Sequence, residues 1–233
     1  MDPGWWDPAY DRALQDCVLP TAPLGDFIRE LSYGPIVTGQ PAAEGGSLPP
    51  GNLPPGNLPV VDQGQLAATG LDLRAARRVA AGGPWDAPRA RVAPGDLLMC
   101  RSGQAGVAKG RLVVCLDEVE AVVGSFVNRI AVSGVSPVWV MLALRSPFMQ
   151  AQVQRASNGV GTPNISFDET RALLLPLAPE AAQARLREAW IERVHAPHLR
   201  WIGGDDAALT EAAAAAQVLQ RETEALITAD AAE

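Results

Sequence analysis

The residues from Val92 to Lys109 constrain the chain most. Pro94 and Gly95 mark a turn, and Gly95-Asp96 opens a four-residue apolar run, Leu97 to Cys100. A run that short, bounded by turn signals, fits a buried strand better than a helix. It ends in Arg101-Ser102-Gly103-Gln104-Ala105-Gly106, where small residues permit close backbone approach and long polar donors flank them. A second strand is expected from Arg111 to Leu116, giving a hairpin with a polar, cationic tip at Arg101, Ser102, Gln104 and Lys109.

Charge follows the same division. The chain of 233 residues carries a formal net charge of −7, which by itself disfavours a polyanion because phosphate neutralisation supplies the sequence-independent part of nucleic-acid binding. The distribution is uneven. Residues 1–69 hold two arginines against eight acids, residues 70–160 hold ten arginines and one lysine against six, and residues 161–233 hold six arginines against twelve. A basic middle segment within an acidic body suits a chain that meets DNA as part of an assembly; arginine as merely the usual cation of this sequence is the plainer reading. With 48% apolar residues a sizeable core is affordable. No window of about 18 apolar residues lacks charge, so no membrane span is expected. The acidic start, Met1 to Asp7, does not look like a secretory signal. Cys17, Cys100 and Cys115 are odd in number and widely spaced, the usage of buried thiols in a cytoplasmic protein.

Along the chain, Trp5, Trp6 and Tyr10 form either a stacking platform or an apolar plug. Residues 41–59 repeat Pro-Pro-Gly-Asn-Leu twice and are expected as a surface insertion of polyproline and turn geometry. The strand at Leu58 to Val61 leads to Gln63, then to Arg74, Arg77 and Arg78; Arg74 and Arg78, four apart, are expected on one helix face, as phosphate ligands or as a solvated face. Glu120 to Val135 is expected as one or two strands, and Pro137 to Gln154 as a single helix. Its successor loop, Ser157 to Asn164, offers Asn158, Thr162 and Asn164 around Gly159 and Gly161. Asparagine and glutamine can read adenine bidentately, and arginine can read guanine.

From Pro179 the sequence is helical. Glu180 to Val194 is expected as an amphipathic helix with Leu186 and Trp190 on one side, interrupted by His195-Ala196-Pro197-His198. Two histidines three apart resemble metal ligands, but no acid or thiol stands at ligand spacing. A last helix, Asp206 to Ile227 with Asp205 as its cap, places Leu209, Ala212, Ala216, Leu219, Thr223 and Leu226 along a seam.

The order of Pro94-Gly95-Asp96-Leu97-Leu98, Arg101-Ser102-Gly103 with Gly106, Leu144-Arg145-Ser146, Gly159 to Ser166, Leu175-Pro176-Leu177 and Gln183 resembles the target-recognition domain of type I restriction–modification specificity subunits, in a single-domain form. The resemblance implies an α+β fold: a compact, twisted mixed β-sheet recognition domain over residues 1–178, then a helical appendage over 179–233 that spaces, dimerises or docks a partner. It implies sequence-specific binding of double-stranded DNA, with Gln40, Gln63, Arg74, Arg77, Arg78, Arg101, Ser102, Gln104, Lys109, Asn158, Thr162 and Asn164 as candidate contacts. Leu186, Trp190, Leu209, Leu219 and Leu226 are the candidate partner or dimer residues. The implied partners are an adenine methyltransferase subunit, a restriction subunit and a second copy of the chain; S-adenosylmethionine, and in second place ATP, would belong to those partners and not to this chain. The family helix is usually continuous, and Pro197 and Gly203-Gly204 are expected to break it here.

An enzyme is the main rival. The chain has no Asn-Pro-Pro-Tyr or Asp-Pro-Pro-Tyr for amino methylation, no Pro-Asp with Glu-x-Lys for cleavage, and no Gly-Lys-Ser/Thr ending to a phosphate loop. A protein–protein module of a defence complex, without DNA reading, is the second rival, favoured by the acidic tail.

Overall fold

The computed structural model describes residues 11–12, 15–35, 57–102, 111–157 and 164–228. In chain order the strands are β1 (Thr21–Pro23), β2 (Ile28–Tyr33), β3 (Asn57–Val61), β4 (Leu66–Ala67), β5 (Gly70–Leu71), β6 (Arg78–Ala80), β7 (Leu97–Cys100), β8 (Leu112–Val114), β9 (Val122–Val123), β10 (Val127–Val132) and β11 (Leu174–Pro176). The helices are α1 (Pro137–Arg145), α2 (Pro147–Ala156), α3 (Phe167–Ala172), α4 (Glu180–Trp190), α5 (Ala196–Ile202) and α6 (Asp206–Thr228).

A four-stranded antiparallel sheet in the order β2-β10-β7-β8 forms the centre. Strands β7, β8 and β10 are buried on both faces, and their alternation sorts the side chains between two cores. Leu97, Met99, Leu112, Val114 and Ile130 face a core shared with the helices. Leu98, Cys100, Val113, Cys115 and Val127 face a second core shared with β3, β6 and β9. The period-2 pattern of a strand thus appears as two apolar faces, which is why these runs read as continuously apolar. The second layer is a small mixed sheet, β6-β3-β9, antiparallel at one edge and parallel at the other. The architecture is α+β.

The helical core does not stop at residue 178. Leu186, Trp190, Val194, Ala212, Ala216, Leu219 and Ile227 join the same cluster as Leu97 and Trp139. Trp139 is fully buried and donates its indole N–H to the Pro176 carbonyl at 2.9 Å. On α6 the buried stripe is Ala208, Ala212, Ala216, Leu219, Thr223 and Ile227, and Ala212, Ala216, Leu219 and Ile227 pack into the chain's own core.

Three expectations fail for identifiable reasons. Pro137 to Gln154 is two helices, broken at Ser146. A residue before proline is pushed out of the helical region, and Ser146 sits at φ −69°, ψ 155° ahead of Pro147. Its hydroxyl donates to the Ala143 carbonyl at 2.6 Å and accepts from the Met149 N–H, so it closes one helix and caps the next. Arg74 and Arg78 share no helix: residues 74–75 form a turn and Arg78 begins β6. Pro197 does not interrupt the tail. A π-helical turn, Ile191–His195, carries the backbone from α4 into α5 with helical dihedrals at both junctions. Such a turn accommodates a proline whose missing N–H and bulky ring would otherwise break the α-ladder.

Candidate nucleic-acid interface

The end of the central sheet brings the stems of the two glycine-punctuated stretches together. At the ends of β7 and β8, the Cys100 N–H donates to the Arg111 carbonyl at 3.0 Å. Beyond it Ser102 pairs with Asn164 in an isolated antiparallel bridge, and the Ile165 N–H donates to the Arg101 carbonyl at 3.1 Å. The strand entering the first stretch therefore lies beside the strand leaving the second. Gln104, Lys109, Asn158, Thr162 and Gln40 lie outside the described residues; Arg101, Ser102 and Asn164, at the stems, lie within them.

Gln63 braces this edge. It sits in the 3₁₀ turn Gln63–Gln65 after β3. Its amide donates to the Ser102 carbonyl at 2.8 Å, and its own backbone carbonyl accepts from Arg111 Nη1 at 3.2 Å. Arg101 places its guanidinium carbon 4.2 Å from the Tyr33 ring centroid, and Tyr33 packs in turn on Phe167 at 5.5 Å. A cation over a ring face is held without losing its charge. Neither Arg101 nor Arg111 has a carboxylate within ion-pair distance among the described residues.

The arginines of the 74–78 cluster are placed differently. Arg74 is held by both oxygens of Asp72 at 3.0 and 2.9 Å and lies 3.8 Å over Trp201 of α5. The Asp72 hydrogen bond raises its pKa further. Arg77 donates to Asp62 at 2.6 Å and stacks at 4.2 Å on Trp85. Arg78 is buried, at 7% exposure. The three cations expected to act together thus go to the tail, to the small sheet and to the interior. Arg78, buried, is corrected as a surface contact, while Arg74 stays part-exposed in its pair with Asp72; Arg77 lines a cavity of about 460 Å³ with Gln63, Gly64, Trp85 and Phe126 beside the hairpin stem.

Phe126 escaped the sequence reading. It occupies the turn between β9 and β10, is 57% exposed, and its carbonyl accepts from the Arg101 N–H at 3.0 Å. Within Val122 to Ile130 it reads as one more core residue; only the adjacent Gly124-Ser125 turn signal hints that it stands at a tip. Arg111, at the other stem, carries no sequence signal beyond opening the strand run Leu112 to Val114.

The tail residues face inward. Leu186, Trp190 and Leu219 are at most 2% exposed against the chain's own core, which leaves no side-chain surface for a partner. Leu209 and Leu226 are half-buried, and Leu226 packs on the same core. The apolar side chains that α5 and the π-turn do expose are Leu199 and Ile191. His198 is buried and fully engaged: Nδ1 lies 2.9 Å from the Thr69 hydroxyl and Nε2 3.1 Å from the Leu71 carbonyl, so the neutral ring donates from Nε2 and accepts at Nδ1. Gly70 is required beneath it, since a Cβ there would fall 2.7 Å from the ring. His195 meets Asp117 at 3.0 Å. The pair tie the tail to the sheet edge. Burial also raises the thiols of Cys100 and Cys115, to about 11 and about 12.

No family model and no curated protein matches the sequence. Among the solved structures similar to it are three of type I restriction–modification systems. One is a Type-I restriction-modification system S subunit from M. genitalium, at 12% identity over 74% of this chain and 38% of that one, TM-score 0.47. Another is the HsdS subunit from Thermoanaerobacter tengcongensis, at 16% identity over 94% and 48%, TM-score 0.45. A third comes from a structure of complex assembly and conformational transition of the type I R-M system, at 14% identity over 99% and 49%, TM-score 0.48. The chain spans less than half the length of each. No described helix is long and apolar enough to cross a membrane.

Proposed function

We propose that this chain binds double-stranded DNA as the non-catalytic specificity component of a restriction–modification or related defence complex in the cytoplasm, and directs a partner adenine methyltransferase to its site. The observation that carries the reading is the Ser102–Asn164 bridge. It joins the stems of two stretches rich in glycine and in base-reading side chains, at an edge where Arg101 and Arg111 have no carboxylate partner among the described residues. Phosphate contacts would position the duplex there and the loop side chains would read base edges. Gln63 acts in this reading as a brace for the stems. S-adenosylmethionine, and ATP if a restriction subunit joins, would be bound by the partners.

The test is a salt-dependent shift of duplex DNA by the full chain with and without the methyltransferase, followed by sequencing of methylated sites in cells carrying the gene with its neighbours. Arg101→Ala should weaken the shift. A protein–protein module is the second reading, favoured by the ion pairing of Arg74, Arg77, Arg91 and Arg129; it predicts complex formation with the methyltransferase and no effect on its choice of site.

A further inference from the structure

Away from the loop tips, a groove of about 670 Å³ runs between the β4 hairpin, the start of β8, the end of α1 and one face of α6. Three guanidinium groups line it, Arg111, Arg145 and Arg221, each from a different element, and no carboxylate does. None of the three forms an ion pair among the described residues. Arg145 donates from Nη2 to the Leu112 carbonyl at 2.6 Å and has Trp190 at 5.4 Å. Burial pulls its pKa down to about 10, the signature of a cation withdrawn from water without a counter-charge. Gln220 donates to the Leu142 carbonyl at 3.3 Å and to Glu224 at 2.9 Å, while its own side-chain oxygen is buried and unpaired. The α6 face opposite is kept low by Ala213 and Ala216.

A carbonyl satisfies one of the five N–H donors of a guanidinium. A half-buried cation with so few acceptors gains from an arriving anion, and the guanidinium fork matches phosphate oxygens two at a time. Arg111 is the common wall of this groove and the loop edge, through Gln63 and its bond to Ser102. We infer that the groove binds a backbone phosphate of the same duplex whose bases the loops meet, with Arg111 and Arg221 at the rim and Arg145 behind them. The inference rests on the DNA-binding reading and extends the contact surface from the loops onto α6.

The experiment is fluorescence anisotropy of a random-sequence duplex with the full chain, from low to physiological salt. Arg221 is exposed, so its replacement does not threaten the fold. Loss of one phosphate contact lowers the slope of log K against log salt by about 0.9, equivalent to about an 8-fold weaker affinity at about 0.1 M salt. Arg221→Ala should show both changes, and Arg221→Lys should restore the slope. An unchanged slope in Arg221→Ala, with binding still lost in Arg101→Ala, overturns the groove and leaves the loop reading intact. Absence of salt-dependent binding by the wild-type chain, alone and with the methyltransferase, overturns that reading and the groove with it. Inorganic pyrophosphate is the second probe: if it binds in an Arg221-dependent manner while the DNA slope stays unchanged, the groove takes a free phosphate compound and the duplex assignment falls.

Discussion

The arginines held by carboxylates and those of the loop edge and the groove live under opposite electrostatic terms. Arg74, Arg77, Arg91 and Arg129 each hold a carboxylate, Asp72, Asp62, Asp86 and Asp96 respectively. Arg101, Arg111 and Arg145 meet rings or carbonyl oxygens instead, and Arg221 lines the groove with no ion pair among the described residues. The positive balance of the middle segment therefore overstates what a polyanion can use. Availability is decided by which side chains the fold has already neutralised.

The largest effect that would sharpen this contrast is at Arg129. Its side chain is 9% exposed, donates to Asp96 at 2.5 Å and meets Glu30 at 2.8 Å. Removing one partner of a buried pair leaves an uncompensated charge, so Arg129→Met should cost about 3–5 kcal/mol in urea unfolding, with DNA affinity of the folded protein unchanged. At the other edge the pattern should invert. Arg101→Ala should cost about 1–3 kcal/mol of DNA binding, while the urea midpoint shifts by no more than a ring contact is worth, about 1 kcal/mol. Phe126→Ala should weaken binding by about 1–2 kcal/mol if a base stacks on the exposed ring and leave stability unaltered; anisotropy on the same duplex measures it. Arg74→Ala, with an ion pair about a quarter to a third exposed, should cost about 1 kcal/mol or less of stability and no DNA affinity. A loss of binding in Arg74→Ala equal to that in Arg101→Ala would erase the distinction altogether.

The smallest effect is a pH dependence outside both sets. Burial, chiefly, lowers the pKa of His198 from its ordinary 6.5. Above that value both folded and unfolded chains carry a neutral ring and this residue adds no slope. As pH falls below it the unfolded chain takes up a proton that the folded ring resists, so stability should decline. Urea midpoints between about pH 5 and 8 should show the decline in the wild type and lose part of it in His198→Gln.

Much of the centre was legible because its signals are local. Pro94-Gly95 and the apolar run before Arg101 delimit β7, and the return strand follows at the expected distance. Where two signals conflict, the local one won. The apolar stripe continues through Ser146-Pro147, but the serine–proline pair breaks the helix. The four-residue step from Arg74 to Arg78 suggested a helix that the Asp72–Arg74 pair and the adjoining strand override. Long-range partners left no trace in the sequence: nothing near Arg77 announces Asp62, and nothing near Ser102 announces Asn164. The α6 seam was readable as a seam, but its spacing is the same whether the matching surface belongs to the chain itself or to a second copy.

The π-turn at Ile191–His195 has a geometric consequence for the tail. One residue beyond the α-helical count turns everything downstream by about 100° about the axis. Trp190, before it, points into the helical core, and His198, after it, reaches the β4–β5 hairpin. Deleting a single residue there would restore the ordinary winding and swing the histidine off its two acceptors and donors, so the azimuth of the terminal helices is tuned by an insertion rather than by any one side chain.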